Sequence, residues 1–442
     1  MGRRIAVFGT GYLGATHAAC MAELGHDVLG VDIDAGKLAK LSSGEVPFYE
    51  PGLDSVLKRN VESGRLRFTS SYEEAAAFAD VHFIAVSTPQ KQGEFAADLS
   101  YVDAVVETLA PLLTEPSVIF GKSTVPVKTA ARLGARAREL APAGDAVEVA
   151  WNPEFLREGF AVHDTLHPDR IVLGIDRVRP GIAEQVARDV YGPLIGENIP
   201  FLVTDLETSE LVKASANAFL ATKISFINAM AEMCEATGAD VTVLADAIGH
   251  DARIGRKFLN AGIGFGGGCL PKDIRAFMAR AGELGASQAL TFLREVDSIN
   301  MRRRSYMMQL TRELVGGSLI GARIAVLGAA FKPDSDDVRD SPALNIAGQI
   351  QLQGASVNVF DPKAMDNSRA LFPTLGYATS VVHACEGADV TLILTEWDQF
   401  RELEPSELDA VVRQRIIVDG RNCLDREKWR SAGWTHRGVG RG

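Results

Sequence analysis

Short apolar runs alternate with helix-forming stretches through the first part of the chain. Runs of strand length lie at residues 5–8, 28–32, 79–86 and 118–122. Residues 15–24, between the first two runs, have helical spacing and stop before Gly25. Uninterrupted apolar strands separated by helices are typical of a parallel sheet with both faces covered. This pattern predicts a doubly wound α/β domain over residues 1–203.

The same alternation returns after residue 323. The run that ends at Gly328 repeats the run that ends at Gly9, and later runs match in the same order. We therefore predict two Rossmann-like doubly wound domains, the second over residues 301–442, joined by a helical central region. The second half lacks the glycine pattern of the first, so we expect it to bind a different phosphorylated ligand through the cations Lys332, Arg339 and Arg421.

The middle of the chain, residues 204–300, has a helical pattern. Residues 204–207 resemble a capping box, and the spacing after them predicts one long helix to about residue 236. Lys213 and Asn217 lie one turn apart on it, so a cation and an amide share a face. Such a pair either stabilises an oxyanion, as carbonyl chemistry requires, or is solvated helix surface. A helix of this length either links domains or lines a subunit interface.

Composition and charge narrow the classes of function. The 442 residues carry a formal net charge of −11, which argues against a nucleic-acid partner because phosphates need a basic face. No apolar window is long enough for a membrane span, and no targeting signal is recognisable. Five scattered cysteines form no Cys/His metal pattern. We expect a cytoplasmic protein without a metal, a membrane partner or a nucleic-acid partner.

A glycine-rich turn follows the first apolar run directly. Gly9, Gly11 and Gly14 fit the dinucleotide fingerprint, and Asp32 ends the next strand at the expected distance. Gly11 admits the pyrophosphate, whose charge faces a helix N-terminus. Asp32 accepts hydrogen bonds from the adenosine ribose and repels a 2′-phosphate. The turn therefore predicts NAD as the cofactor, with Lys37 as the one nearby group that weakens the preference over NADP.

Polar residues also follow the later strands. Thr88 and Thr124 come after two apolar runs, and ligands of open α/β sheets bind at such carboxyl strand ends. Helix N-capping is the alternative role of both threonines. Glu154 and Glu158 are four residues apart, so they share a face if Pro153 begins a turn or helix. Such a pair suits substrate hydroxyls or water, although a solvated helix edge is as common.

Residues 264–273 place four glycines around Cys269 and three helix-starting residues after it. The glycines let the backbone approach a ligand closely and leave the thiol unobstructed. Pro271 fits the first turn of a helix, which puts Cys269 at the helix N-terminus with Lys272 one turn away. Both effects favour the thiolate. The pattern indicates a reactive thiol, with a buried structural cysteine as the alternative.

Together these motifs resemble the UDP-glucose/GDP-mannose dehydrogenase family, and the likeness runs almost end to end. The matching motifs are residues 9–14, 49–53, 123–126, 152–159, 213–217, 266–273, 330–333 and 419–421. So many short motifs in one order are specific for the family and less specific for the sugar. The resemblance implies an NAD-dependent, four-electron oxidation of a sugar's primary alcohol, with UDP-glucose converted to UDP-glucuronate, by a homodimer.

The resemblance also implies a role for each catalytic candidate. Cys269 captures the aldehyde from the first hydride transfer as a thiohemiacetal, and the second transfer gives a thioester. Lys213 stabilises the oxyanion, and Asn217 holds the reacting end of the sugar. Asp273 assists proton transfer.

Further contacts follow from the same resemblance. Thr124 and Glu154 position the water that releases the acid, and Glu158 lies near the nicotinamide. Substrate contacts are expected from Glu154, Phe155, Leu156, Lys213, Asn217, Arg253, Lys257, Phe258, Gly266, Lys332 and Arg421. Cofactor contacts are expected from Gly11, Tyr12, Leu13, Asp32, Lys37, Thr88, Thr124, Glu158, Lys272 and Arg339. Arg253 reaches across a dimer interface in such enzymes, and Gly268 replaces a serine that many relatives carry.

Three alternatives remain open at this point. A sister enzyme would oxidise GDP-mannose or an N-acetylated UDP-hexosamine, although residues 253–264 resemble the UDP-glucose branch. A two-electron hydroxyacid dehydrogenase would leave Cys269 without a role. A nucleotide-sugar sensor without activity is disfavoured by the intact Cys269, Lys213 and Asp273.

Overall fold

Each half of the chain builds one largely parallel sheet, and the computed structural model describes residues 2–441. The chain divides into two compact units. Unit 1 contains Met1–Ala216 and Arg275–Gly285, and unit 2 contains Asn217–Ile274 and Ala286–Gly442. Two Rossmann-like α/β parts and a long central helix are present, as the apolar alternation predicts.

Unit 1 contains an eight-stranded sheet with the strand order β3-β2-β1-β4-β5-β6-β7-β8. Its strands are β1 (Arg4–Phe8), β2 (Asp27–Val31), β3 (Leu66–Thr69), β4 (Val81–Ile84), β5 (Ser117–Gly121), β6 (Val147–Trp151), β7 (Ile171–Ile175) and β8 (Phe201–Asp205). Its helices are α1 (Tyr12–Glu23), α2 (Ala35–Ser42), α3 (Leu53–Glu62), α4 (Tyr72–Phe78), α5 (Ser100–Leu109), α6 (Thr129–Leu140), α7 (Ala161–Leu166), α8 (Ala183–Val190) and α9 (Gly192–Gly196). All neighbouring strands are parallel except β6 and β7, which pair antiparallel at Trp151 and Gly174.

Strand β1 shows why the apolar runs are uninterrupted. Ile5 and Val7 belong to the apolar cluster that includes α1 and α3, whereas Ala6 and Phe8 belong to the cluster that includes α5 and α6. Successive side chains of a strand point to opposite faces, so a strand covered on both faces must be apolar at every position. The strand is therefore buried between β2 and β4.

Four helices follow the first sheet in the chain. They are α10 (Leu206–Thr237), α11 (Val241–Gly249), α12 (Leu270–Glu283) and α13 (Phe292–Leu314). The long helix predicted from the sequence is therefore confirmed as α10. The predicted capping box at residues 204–207 is wrong, because the Thr204 hydroxyl contacts the Asp205 carboxylate rather than an amide of the first helical turn. Asp205 caps the helix instead, with its Oδ1 accepting the N–H of Thr208 at 2.7 Å.

Unit 2 contains a six-stranded, fully parallel sheet with the strand order β11-β10-β9-β12-β13-β14. Its strands are β9 (Arg323–Leu327), β10 (Ser356–Phe360), β11 (Gly376–Tyr377), β12 (Val390–Ile393), β13 (Ile416–Asp419) and β14 (Thr435–Gly438). Its further helices are α14 (Pro342–Leu352), α15 (Met365–Leu371), α16 (Val381–Cys385), α17 (Asp398–Arg401), α18 (Pro405–Leu408) and α19 (Arg426–Ser431). Among the described residues, no helix combines the length and apolar character that a membrane crossing requires.

Candidate active site

The glycine turn between β1 and α1 has a different constraint at each glycine. Gly9 has a φ of +89°, which favours glycine. A Cβ at Gly14 would lie 1.7 Å from the carbonyl oxygen of Gly9, so the helix packs too close for any side chain. A Cβ at Gly11 would meet nothing within 4 Å. Gly11 therefore keeps open a space at the N-terminus of α1, where an anion is favoured.

Asp32 stands directly after β2 and faces this turn. Its Oδ2 accepts hydrogen bonds from the Thr10 amide at 2.8 Å and from Lys37 Nζ at 2.9 Å, whereas its Oδ1 accepts from the Asp34 amide at 3.1 Å. Burial alone would raise the pKa of Asp32. The hydrogen bonds from Lys37 and the other donors outweigh burial and hold that pKa below its ordinary value. The carboxylate is thus ionised at neutral pH, and Oδ1 keeps acceptor capacity for a ribose hydroxyl.

Tyr12 ties the glycine turn to a more distant segment. Its hydroxyl donates to Glu50 Oε2 and accepts the N–H of Gly159 at 3.0 Å. The buried Glu50 also accepts the N–H groups of Gly159 and Ala161, each at 2.7 Å. Glu50 thereby accepts the first amide of α7 and one amide just before the helix, and it holds Tyr12 at the same time. Leu13 is partly buried against the core.

Thr88 and Thr124 meet because they follow adjacent strands. The Thr88 hydroxyl donates to the Thr124 carbonyl at 2.8 Å, after β4 and β5 respectively. Ser123 donates to the Val86 carbonyl at 2.6 Å and reinforces this junction. Thr88 is not a helix N-cap, because its hydroxyl donates to the loop that follows β5.

Glu154 is paired with a buried lysine rather than with Glu158. Lys122 Nζ lies 2.9 Å from Glu154 Oε2, and Glu154 Oε1 accepts the N–H groups of Phe155 and Leu156 at 2.7 and 3.0 Å. The expected shared helical face of the two glutamates is wrong, because residues 152–157 form no regular secondary structure and α7 begins only at Ala161. The Glu154 carboxylate captures the amides that a helix would need.

Lys213 of α10 approaches the same segment. Its Nζ lies 5.4 Å from the ring centroid of Phe155, and the Arg170 guanidinium carbon lies 4.0 Å from that centroid. Two cations therefore share one aromatic ring. Leu156 is half-buried beside it, and Glu158 is buried.

In unit 2, Cys269 stands at the N-terminus of α12. Its carbonyl accepts the N–H of Asp273 at 3.0 Å, which is the first bond of this 14-residue helix. Cys269 is exposed. The predicted position of the thiol at a helix N-terminus is confirmed, and the helix dipole there favours negative charge on sulfur.

Three of the predicted polar residues form one chain of hydrogen bonds. Asp273 is buried, and its Oδ2 accepts from Asn217 Nδ2 at 2.6 Å. Its Oδ1 accepts from Lys272 Nζ at 2.5 Å. The arrangement links α10 to the first turn of α12, next to Cys269. Asp273 is therefore fixed by two side-chain donors in the first turn of the helix that follows Cys269.

The glycines around the thiol make room for the protein's own groups. A Cβ at Gly266 would lie 2.3 Å from the Asp340 carbonyl oxygen, and one at Gly267 would lie 2.8 Å from the Phe331 ring. At Gly268 it would lie 2.3 Å from the Arg339 guanidinium. The sequence predicted clearance for a ligand, but the first use of this space is close packing within unit 2. A serine at residue 268 would require the Arg339 side chain to shift.

Two buried residues of α13 clamp the loop upstream of the thiol. Asn300 Oδ1 accepts the N–H of Phe265 at 2.7 Å, and Asn300 Nδ2 donates to the Phe265 carbonyl at 3.0 Å. Arg304 donates to the same carbonyl at 3.3 Å and pairs with Asp340 at 2.8 Å. Arg421 donates to the Gly264 carbonyl at 3.1 Å. The loop backbone is thus preorganised by hydrogen bonds that do not involve the sulfur.

The predicted phosphate-binding cations lie around the carboxyl end of the second sheet. Lys332 is half-buried, with its Nζ 5.5 Å from the Phe331 ring centroid. Arg339 is exposed and pairs with Asp337 at 2.7 Å. Arg421 additionally donates to the carbonyls of Leu394 and Phe331, so its predicted substrate contact coexists with a structural one.

Asp361 occupies in the second sheet the position that Asp32 occupies in the first. Its Oδ2 accepts from the amides of Ala329 and Ala330 and from the Trp397 indole, at 2.8 to 3.1 Å. Two further amides, each at 2.9 Å, occupy Oδ1. The carboxylate is buried and its acceptor positions are filled. Asp361 is therefore not available to a dinucleotide ribose.

The remaining predicted substrate residues lie on an exposed loop after α11. Arg253 is exposed and pairs with Asp251 at 2.6 Å. Lys257 and Phe258 are exposed as well. Lys223 of α10 donates to two carbonyls of this loop, at 2.9 and 3.0 Å, and so fixes its backbone.

Family models match three successive segments of the chain. They describe the UDP-glucose/GDP-mannose dehydrogenase family: its NAD binding domain over residues 3–195, its central domain over residues 207–302 and its UDP binding domain over residues 325–426. The chain belongs to this family. The resemblance drawn from the short motifs is therefore confirmed, and so is an NAD binding domain at the glycine turn.

Full-length relatives support the same assignment. The UDP-glucose 6-dehydrogenase of Rhizobium meliloti (strain 1021) is 43% identical over 438 residues, which are 99% of each chain. The structure of a UDP-glucose dehydrogenase from the hyperthermophilic archaeon Pyrobaculum islandicum matches with a TM-score of 0.91 at 38% identity, covering 100% of this chain and 98% of that chain. The UDP-D-ManNAc dehydrogenase of Pyrococcus horikoshii matches with a TM-score of 0.85 at 28% identity, covering 99% of each.

Several groups that hold this family's motifs in place were not predicted from the sequence. Lys122 pairs with Glu154, Glu50 bonds to Tyr12, and Asn300 and Arg304 support the loop before Cys269. Lys122 could have been predicted from the sequence, because a charged residue directly after a buried strand lies at the sheet edge where ligands bind. For Asn300 and Arg304 the helical pattern of α13 carries no such signal.

Proposed function

We propose that this protein oxidises UDP-glucose to UDP-glucuronate with two NAD per sugar. The observation that carries the proposal is Cys269 at the N-terminus of α12, beside the hydrogen-bonded Asn217 and Asp273. A two-electron alcohol dehydrogenase needs no nucleophile, whereas an oxidation through an acyl intermediate does. Identity of 43% and 38% to two UDP-glucose enzymes, against 28% to a UDP-D-ManNAc enzyme, supports glucose as the sugar.

The residues of unit 1 fit NAD. Gly11 leaves open space and caps α1 without a side chain, so the first amides of the helix stay available to a pyrophosphate. Asp32 offers Oδ1 to a ribose hydroxyl and its charge opposes a 2′-phosphate. When bound, NAD accepts one hydride at each oxidation step. The proposed contacts of Tyr12, Leu13, Lys37, Thr88, Glu158, Lys272 and Arg339 complete the cofactor site.

Cys269 holds the aldehyde intermediate as a covalent adduct. Its thiolate attacks the aldehyde carbon, the C–S bond forms, and the carbonyl oxygen takes a proton to give a thiohemiacetal. Loss of a hydride and of that proton gives the thioester. We assign oxyanion stabilisation to Lys213 and Asn217, and proton transfer to Asp273, because a cation and an amide donor suit developing negative charge.

Water completes the reaction. It attacks the thioester carbon, the C–S bond breaks, and its electron pair returns to Cys269 as a thiolate. We assign the positioning of this water to Thr124 and Glu154. Overall, one alcohol, two NAD⁺ and one water give one carboxylate, two NADH and three protons.

Each part of the chain is assigned one binding task. We propose that residues 1–203 bind NAD, residues 204–300 supply the thiol and the dimer contact, and residues 301–442 bind the uridine diphosphate. Matches to a central and a UDP binding domain support this division. The proposed substrate contacts are Phe155, Leu156, Arg253, Lys257, Phe258, Gly266, Lys332 and Arg421.

The number of NADH molecules formed per sugar tests the proposal. UDP-glucose at limiting concentration should yield two NADH per molecule, together with UDP-glucuronate. GDP-mannose and UDP-N-acetylglucosamine should react more slowly. One NADH per sugar would contradict the covalent mechanism, and faster oxidation of GDP-mannose would contradict the choice of sugar.

We further propose that two copies pair through α10. Phe219, Phe226 and Met233 are 66%, 48% and 58% exposed and recur every seven residues. Residues at that spacing lie on one face, and these three extend over about 21 Å of helix. A row of exposed apolar side chains at heptad spacing is typical of a surface that another helix covers.

Charge on this face is expected to separate the copies. Phe219→Glu with Phe226→Glu should weaken dimerisation by more than about 100-fold, because carboxylates would be buried without partners. Light scattering should give twice the 47.4 kDa chain mass for the unaltered protein and one chain mass for the variant. Leu352→Glu, at a still more exposed apolar residue of α14, is the control and should leave the dimer intact. A dimeric double variant would refute the assignment of this face.

A further inference from the structure

A lysine is buried at the carboxyl end of β5. The Lys122 side chain is only 6% exposed, and its Nζ lies 2.9 Å from Glu154 Oε2 and 3.1 Å from Asn152 Oδ1. A buried ammonium group persists only when it is paired, because burial removes its hydration. The proposed reaction gives this cation no direct task.

Asn152 and Tyr191 fix the position of the ammonium group. Asn152 Oδ1 accepts from Lys122 and from the Tyr191 hydroxyl at 2.6 Å, while Asn152 Nδ2 donates to the Val172 carbonyl at 2.8 Å. The Tyr191 ring centroid lies 5.9 Å from Lys122 Nζ. Each group therefore has a defined orientation, and the network is connected throughout.

The Glu154 carboxylate has a single acceptor position left. Two backbone amides occupy both positions of Oε1, and Lys122 occupies one position of Oε2. A carboxylate has about four such positions. Since the Glu154 side chain is 15% exposed, the remaining position on Oε2 can reach solvent.

We propose that Lys122 is a positioning residue that keeps Glu154 ionised and aims its last acceptor position at the water that hydrolyses the thioester. This inference rests on the function proposed above. The oxygen of the water bonds to the acyl carbon, the C–S electron pair returns to Cys269, and both protons of the water pass to solvent. Glu154 orients the water through a hydrogen bond and does not retain its proton.

The charges around Glu154 agree with this role. Burial raises the pKa of Glu154, but Lys122 more than offsets it, so the pKa falls to about 2. The other titratable groups that face Glu154 are His17 and Cys20 of α1 and Tyr191. Burial lowers the pKa of His17 to about 3, raises that of Cys20 to about 12 and raises that of Tyr191. All three are neutral at pH 7, so Lys122 supplies the positive charge.

Lys122→Met removes the charge and keeps the length of the side chain. The pKa of Glu154 should then rise, because burial is no longer offset by the ammonium group and is opposed mainly by the two backbone amides, and hydrolysis should acquire an acid limb. Below the new pKa the rate should fall about tenfold per pH unit. Rapid-mixing experiments should show a burst of two NADH per active site followed by slow turnover, because only the last step is impaired. Lys122→Arg should restore the acid side of the profile.

Two further variants separate positioning from folding. Glu154→Gln should hydrolyse the thioester slowly, and its pH–rate profile should have no acid limb. Adding Lys122→Met to this variant should lower the rate by no more than about twofold. The double variant contains no unpaired buried charge, so it folds even if Lys122→Met does not. Additive losses, or a Lys122→Met protein with an unaltered pH profile and no burst, would overturn the proposal.

An infrared titration makes the test independent of turnover. The difference between Lys122→Met and Lys122→Met/Glu154→Gln should show one carboxyl group that protonates between about pH 4 and 8, which the unaltered protein lacks. Absence of that group would refute the role of Lys122. If unaltered protein forms one NADH per sugar, the proposed function fails while the titration still decides the role of Lys122.

Discussion

Replacing Cys269 with alanine is expected to lower UDP-glucuronate formation by more than about 10³-fold, because the aldehyde loses its nucleophile. NAD affinity should stay unchanged, since the glycine turn and Asp32 lie in a different unit. Product chromatography measures the acid, and calorimetry measures NAD binding. At most the first NADH per sugar should form.

Cys423 provides the matched control. It is partly buried in the same unit, and burial raises the pKa of its thiol, so it stays protonated. Cys423→Ala should therefore keep acid formation within about twofold. A Cys269→Ala protein that makes UDP-glucuronate at the unaltered rate would remove the covalent mechanism, whatever the cysteine control shows.

The second large effect is expected at Gly14. Gly14→Ala should destabilise the protein by about 2–3 kcal/mol, because its Cβ would lie 1.7 Å from a backbone oxygen that cannot turn away. Urea unfolding followed by circular dichroism measures this loss. NAD affinity should fall as well, since the start of α1 would shift away from β1.

Gly11→Ala separates the two functions of the turn. A Cβ there meets nothing within 4 Å, and the φ of −68° suits any residue. Stability should stay within about 0.5 kcal/mol, whereas NAD affinity should fall by at least about tenfold because the methyl group occupies the space for the pyrophosphate. Unchanged NAD affinity in Gly11→Ala would contradict the assignment of this space. A stable Gly14→Ala protein would contradict the packing argument.

Local patterns predicted the parts of the fold that depend on local interactions. The first strand, its glycine turn and Asp32 follow from burial on both faces and from backbone conformation, which neighbouring residues decide. Cys269 at a helix N-terminus was predictable for the same reason. The start of α10 was misjudged by one residue because Thr204 and Asp205 are both good caps, and both lie at the end of β8, directly before the helix.

The rest of the site depends on which strands and helices become neighbours. Lys122 meets Glu154 because β5 pairs with β6. Asn300 meets Phe265 because α13 packs against the loop. A helical model of residues 152–157 failed because the Glu154 side chain takes the local amides, a competition that periodicity does not register.

The filled acceptor positions of Asp361 affect which half of the enzyme competes for NAD. Two sheets of related pattern could compete for the same abundant cofactor, and each misplaced molecule would displace a sugar nucleotide. Five protein donors on Asp361 remove that competition at its source. We therefore expect one NAD per chain, bound by the first half, and we expect saturation with NAD to leave the second half open to the nucleotide sugar.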